Sequence, residues 1–270
     1  MAILKPNKFN RIFSFDHFAA LVLVLFVGSL ALLLGAVVSY LDYHSFPAIF
    51  RNPDIMFALR LSLWTASASA LLAVMVAVPV GYVLSRFKFP GRFLFDAVVD
   101  IPIVLPPVVM GLCLLVFFRT APGQAIEGAG FRFVYRQAGI VLAQFFTVTP
   151  YAIRTVKAAF DHLDPRVEMV ARTLGYTPGR VFWRVSLPMI RNSIIAGGVI
   201  AWAVAIGLFG PMMILVGTTR QRTEVLATSI YLELSVGRVQ TALAIALLMI
   251  AIAMGALTIF KKFGGGRFFS

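Results

Sequence analysis

Apolar residues gather in six long stretches, and most of the charges fall in the short segments between them. A helix needs about twenty predominantly apolar residues to cross the hydrocarbon core of a bilayer. The first stretch, Phe18 to Leu41, carries no charge; the second, Phe57 to Ser85, has Arg60 near its start, where it can snorkel to the interface. The third, Phe95 to Phe118, is less regular, with Asp96 and Asp100 at its beginning and Pro102, Pro106 and Pro107 after them. The fourth, Ala138 to Phe160, is interrupted by Pro150. Asn192 to Val216 and Thr241 to Phe260 complete the set. The pattern predicts an all-α, polytopic membrane protein with about six transmembrane helices, organised as a single domain over residues 1–270. The first stretch is too long for a signal-peptide core and lacks a small-residue cleavage pattern, so it reads as a retained helix.

Composition agrees with a bilayer. Hydrophobic residues make up 60% of the chain and charged ones only 13%, where soluble domains devote about a quarter to charge. The polar residues needed to cover a soluble globule are missing. The net charge of +13 does not point to nucleic acid, because the basic residues lie between apolar runs rather than on one hydrophilic face. Topology and anionic headgroups account for it better. Placing both termini in the cytoplasm puts 16 of the 24 Lys and Arg residues inside, which sets the expected orientation in a cell (inner) membrane.

Little chemistry is encoded. Cys113 is the only cysteine, and His17, His44 and His162 are scattered near span ends, so no disulfide, metal site or catalytic constellation is expected. No GxxxxGK[ST] stretch is present, so any ATP is hydrolysed by another polypeptide.

The most informative segment joins the fourth and fifth stretches: 161-DHLDPRVEMVARTLGYTPGRVFWRVSLPMIRN-192. Asp164 can cap a first helix opened by Pro165, with Val167, Val170, Ala171 and Leu174 on one face and Gly175 at its end. Thr177 and Pro178 open a second helix, which is expected to stop near Leu187 because Pro188 disfavours helical geometry in its predecessor. A helical hairpin with an apolar stripe and a basic face could dock into a cytoplasmic partner or lie on lipid headgroups.

This hairpin resembles the "EAA" loop of ABC importer permeases, with Met169, Val170, Ala171, Gly175, Val185, Leu187 and Pro188 at the matching positions. The family glutamate is absent at Met169, and Glu168 stands one residue earlier. The resemblance covers roughly residues 57–260. The segments 102-PIVLPPVVMGLCLLVFF-118 and 207-GLFGPMMILVGTTRQRTEVLATSIYLELSVGRVQTALAIALLM-249 are similar to the molybdate, tungstate and sulfate branch, although Leu208 replaces an acid frequent there.

The resemblance implies the permease subunit of an ATP-driven importer. It is not itself an enzyme and binds no cofactor; ATP and Mg belong to partner ATPase subunits. A second permease subunit, as homodimer or heterodimer, and an extracytoplasmic solute-binding protein complete the assembly. The implied solute is molybdate, tungstate or sulfate, with phosphonate or ferric iron as alternatives. The ATPase-coupling loop then comprises Asp164, Glu168, Ala171, Arg172, Gly175, Arg180, Leu187 and Pro188, with Arg172 and Arg180 at its rim. Pro106, Pro107, Pro150, Gly207, Phe209, Gly210 and Pro211 are the pore candidates, since broken backbone is tolerated in hydrocarbon where it lines a cavity or packs on protein. Small residues there also suit plain close packing. Outside, Arg119, Arg132, Arg136, Arg220 and Arg222 either form an anion-concentrating mouth or pair with acids on the binding protein. A secondary transporter would show intramembrane acids or an internal repeat, and neither is evident.

Overall fold

The computed structural model describes residues 8–42 and 45–264, so His44 and the extreme termini lie outside the described residues. Every regular element described is helical. In chain order the helices are α1 (Lys8–Tyr40), α2 (Ser45–Ile49), α3 (Pro53–Arg86), α4 (Arg92–Val104), α5 (Pro107–Phe117), α6 (Ala121–Gly128) and α7 (Gln137–His162). They continue with α8 (Pro165–Thr173), α9 (Pro178–Val181), α10 (Leu187–Met189), α11 (Arg191–Gly207), α12 (Gly210–Leu215), α13 (Leu226–Ser235) and α14 (Val239–Gly264).

The centre is a three-helix core of α3, α7 and α11. Its helices approach closely because their facing residues are small. In α3 the buried positions include Ala58, Ser62, Ala66, Ser69, Ala70, Ala73, Ala77 and Gly81, which recur every three or four residues. A Cβ on Gly81 would lie 3.1 Å from the Lys157 backbone nitrogen, so the two helix backbones nearly touch there. One polar residue ties all three helices. Gln144 in α7 accepts from the Ser69 hydroxyl of α3 at 2.9 Å and donates to the Ala205 carbonyl of α11 at 3.0 Å. Both ends of a fully buried amide are thereby satisfied, as burial requires.

Three described helices, in α1, α3 and α14, are long and apolar enough to cross a membrane, or up to five spans if two bent pairs each count as one. α7 falls outside that set because it is the central helix. Packed against α3, α11, α12, α4 and α5, it can carry Gln144, Thr147 and Thr149 buried. α1 is the opposite case. Its window from Asp16 to Tyr40 buries nothing within the chain, and its C-terminal end is pinned to α14, where Gln240 accepts from the Asp42 amide at 2.9 Å.

Three expectations need correction. The third stretch is not one straight helix: α4 and α5 meet at 112°, because Pro106 and Pro107 supply no N–H to continue the ladder. The fifth ends at Gly207 and resumes as the short α12, since the Pro211 ring excludes the helical carbonyl four residues earlier. By contrast, α7 runs unbroken through Pro150, which is buried in its middle, so that proline costs a single hydrogen bond and interrupts nothing.

The pore candidates consequently separate. Pro150 belongs to the α7 core. Pro106, Pro107 and Gly207 are exposed at the two breaks, whereas Gly210 and Pro211 are buried in the α5–α12 contact. Phe209 is half-buried against Tyr231, with ring centroids 5.6 Å apart.

Candidate functional site: a helical hairpin seated on the end of α3

α8 forms for local reasons. The Asp164 carboxylate accepts the Arg166 backbone N–H at 2.9 Å, and Pro165 occupies the opening turn. The helix stops at Gly175, whose φ of +87° is the left-handed geometry that favours glycine. Gly175 N–H donates to Arg172 at 3.0 Å and Tyr176 N–H to Ala171 at 3.2 Å, the paired bonds of a Schellman stop.

The second arm differs from expectation. Instead of stopping at Leu187, the chain stays helical from Pro178 to Met189 through a π-helical turn over Phe182–Ser186. Leu187 N–H reaches back five residues to Phe182, and this wider turn accommodates Pro188. The arm then meets α11 at 69°.

Glu168 anchors the hairpin to the bundle. Its side chain is buried, and its Oε1 accepts from Arg86 Nε at 3.0 Å and from Ser186 Oγ at 2.9 Å. Arg86 also donates to the Leu163 carbonyl at 2.9 Å. One carboxylate therefore joins α8, the second arm and the last turn of α3. Behind it, Phe182 packs edge-on against Tyr82 with centroids 4.8 Å apart.

The expected docking residues split accordingly. Glu168 and Ala171 face inward and cannot lie on an exposed docking surface. Arg172 and Arg180 are exposed, with no acidic partner within ion-pair distance among the described residues. Leu187 is half-buried and Pro188 exposed. Beside the exposed Arg172, Arg180 and Arg184, the hairpin also presents large apolar side chains outward: Met169, Val170, Trp183 and, at 73% exposure, Leu174. Sequence reasoning missed Trp183 and named Met169 only as the place of the family glutamate, because the stripe was drawn on helical period alone while the buried Glu168 sets which face turns in.

A second polar cluster lies within the bundle. Arg154 of α7 donates to Asp96 at 2.8 Å and also pairs with Asp100. α4 has no fully buried residue of its own; these ion pairs, together with Val99 packed against the core, hold it to α7. Sequence reading placed Asp96 and Asp100 at the beginning of the third stretch and did not single out Arg154, which lies within the fourth. The partnership spans more than fifty positions, and no periodicity reports it.

At the far end of α7, the segment between α12 and α13 holds an acidic group with unusual surroundings. Glu224 and Glu233 are buried, and one oxygen of each lacks a hydrogen-bond partner. Arg220 pairs with Glu233 at 2.8 Å and Asp54 at 3.5 Å, and Ser229 donates to Glu224 at 2.8 Å. Burial pushes the Glu224 carboxyl above its ordinary range, and the charges of Asp54 and Glu233 add to this. The folded chain thus holds a proton that the unfolded chain has released. Stability from this group is complete below the ordinary glutamate range and declines as pH rises through the folded value. Glu224→Gln should remove that alkaline-side decline in Tm; superimposable Tm–pH curves for parent and variant would contradict the assignment.

The family described as "Binding-protein-dependent transport system inner membrane component" matches residues 70–263, a range that includes the whole hairpin. The chain belongs to this family. Among its relatives, the molybdenum transport system permease protein ModB of Mycobacterium tuberculosis is 36% identical over 227 residues, covering 83% of this chain and 85% of the relative. The sulfate transport system permease protein CysT of Salmonella typhimurium is 30% identical over 239 residues, covering 88% and 85%. The molybdate/tungstate permease protein WtpB of Pyrococcus abyssi is 38% identical over 174 residues, covering 64% and 66%. Among solved structures, a bacterial alginate ABC transporter in complex with its alginate-bound periplasmic protein superimposes with a TM-score of 0.73 at 17% identity, covering 94% of each chain. This permease is therefore a multi-pass membrane protein with the importer fold.

Proposed function

We propose that this permease is the solute-conducting subunit of an ATP-driven importer for a small oxyanion, with molybdate, tungstate or sulfate as the solute. The single observation that carries the mechanism is the hairpin: locked inward through Glu168 and Arg86, it leaves Met169, Val170, Leu174 and Trp183 uncovered at its tip. An apolar helix face of this kind fits a groove on a partner. The partner is a cytoplasmic ABC ATPase, which binds ATP and Mg; this chain supplies no catalytic group. The molybdenum, molybdate/tungstate and sulfate transport of ModB, WtpB and CysT supports the oxyanion class.

The hairpin end faces the cytosol, as the concentration of Arg166, Arg172, Arg180, Arg184 and Arg191 there favours. Both chain termini then lie on that side. A second permease copy, identical or related, completes the pathway and offers cover for the apolar α1. Nucleotide-driven closure of the ATPases moves the hairpins, and the breaks at Pro106–Pro107 and Gly207–Phe209 are the points where the surrounding helices flex.

Leu174→Glu tests the docking face. The side chain is largely in water already, so the fold should hold while the ATPase is lost from the purified complex. Co-purification in parental stoichiometry, with parental molybdate uptake in vesicles, would exclude the hairpin tip as the contact.

A further inference from the structure

At the end of α7 opposite the hairpin, two loops meet and are stitched together. One links α6 to α7, and the other links α12 to α13. The Tyr135 N–H donates to the Leu215 carbonyl at 3.3 Å, and the Gln137 side-chain amide donates to the Arg222 carbonyl at 2.9 Å. The Glu127 carboxylate organises the first loop by accepting the N–H groups of Phe133 and Val134, each at 3.1 Å. Between the loops lies a polar cleft of about 760 Å³, bordered by Arg132, Arg136 and Arg222. Tyr135 and Gln221, the two non-glycine residues with positive φ among the described residues, sit on its two sides, each at +56°. A left-handed conformation at a bulky residue persists only where surrounding contacts enforce it. The cleft is therefore a built surface.

Its charge is not compensated within the chain. Neighbouring Arg220 and Arg238 are drawn to Glu233, and Arg220 also to Asp54. Arg132, Arg136 and Arg222 have no acidic partner within ion-pair distance among the described residues, and the acid of the cleft, Glu127, has one oxygen committed to two backbone donors. α7 begins at the cleft with no acidic residue in its first turn, so its positive end adds to the field.

We propose that this cleft receives acidic side chains of the solute-delivering binding protein, and that Arg132, Arg136 and Arg222 steer its docking. The inference rests on the outward placement of this end given above. A protein surface fits better than the free solute, because the three guanidinium groups are exposed and the cleft is wide and open. Exposed charges in such a site hold a small anion weakly, yet they accelerate the encounter of complementary surfaces. Of the five arginines singled out from sequence, three converge here, Arg220 is neutralised internally, and Arg119 lies outside the cleft.

The test uses the reconstituted permease–ATPase complex, titrated with its molybdate-loaded binding protein. Stimulated ATP hydrolysis is read at low and high salt. Replacing all three arginines with glutamine should raise the half-saturating concentration of binding protein about tenfold at low salt. At high salt, where exposed charges are screened, the difference should shrink to about twofold. The triple lysine variant keeps the charges and should stay within about threefold of the parent. Equal half-saturation for parent and glutamine variant at low salt would overturn the proposal. So would a reduced maximal rate at unchanged half-saturation, which would assign the arginines to solute passage. A lysine variant as impaired as the glutamine one would assign them a structural role. If the parent complex ignores the binding protein altogether, the importer reading itself fails, and this proposal with it.

Discussion

Replacing Glu168 with alanine is expected to leave a folded bundle in which ATP hydrolysis no longer drives solute uptake. The Glu168 and Arg86 side chains are only 6% and 12% exposed, and removing one partner of a buried pair costs about 3–5 kcal/mol because the other charge is stranded. Three contacts fail together: the Arg86 ion pair, the Ser186 hydrogen bond and, through a displaced Arg86, the bond to Leu163. The hairpin then loses its seat on α3 while its apolar tip remains free to bind a partner. Uptake per ATP in proteoliposomes should fall at least tenfold. Glu168→Gln keeps the bond to Ser186 and should fall between. The charge-swapped pair, Arg86→Glu with Glu168→Arg, should recover part of the loss, which a simple packing defect would not show. Parental coupling in Glu168→Ala would refute the anchoring role.

The second large effect is expected at Gly111. A Cβ there would sit 2.7 Å from Pro211 Cα and 2.8 Å from the Pro211 carbonyl oxygen. Both obstacles are backbone, so no change of rotamer relieves them. Gly210 faces α5 in the same way, with a Cβ 2.7 Å from Val108 Cγ2. Gly111→Ala must therefore push α5 away from α12. Overpacking of this kind costs about 1–3 kcal/mol, corresponding to a Tm lower by roughly 3–10 °C. Transport should suffer more than stability, because the displaced helices adjoin both chain breaks. Gly255→Ala in α14 is the matched control: its Cβ would meet nothing within 4 Å. A Gly111→Ala permease with parental Tm and uptake would show that the α5–α12 contact is looser than described.

The bilayer-scale features were legible in the sequence because they depend on local composition. Six apolar stretches, the hairpin between the fourth and fifth, the Asp164 cap and the Gly175 stop all follow from neighbours within a few residues. What escaped depends on distant pairs. Glu168 turns inward because Arg86, eighty-two positions earlier, meets it there. α7 tolerates Pro150 because helices from elsewhere in the chain enclose it. Prolines misled in both directions: Pro106 and Pro107 break their segment more sharply than a kink, whereas Pro188 is absorbed by a π-helical turn. Residue type signals a disturbance, and the surrounding packing decides its size.

α3 is fastened at both of its ends. Its last residue, Arg86, grips the hairpin, and Asp54 in its first turn accepts from Gln221 at 2.7 Å and pairs with Arg220. The helix between them has 34 residues, about 51 Å of continuous rod at about 1.5 Å per residue. Two distant loops are thus bolted to a single stiff shaft. A tilt imposed at one end can therefore reach the other through the helix itself, past its one interior proline, Pro79.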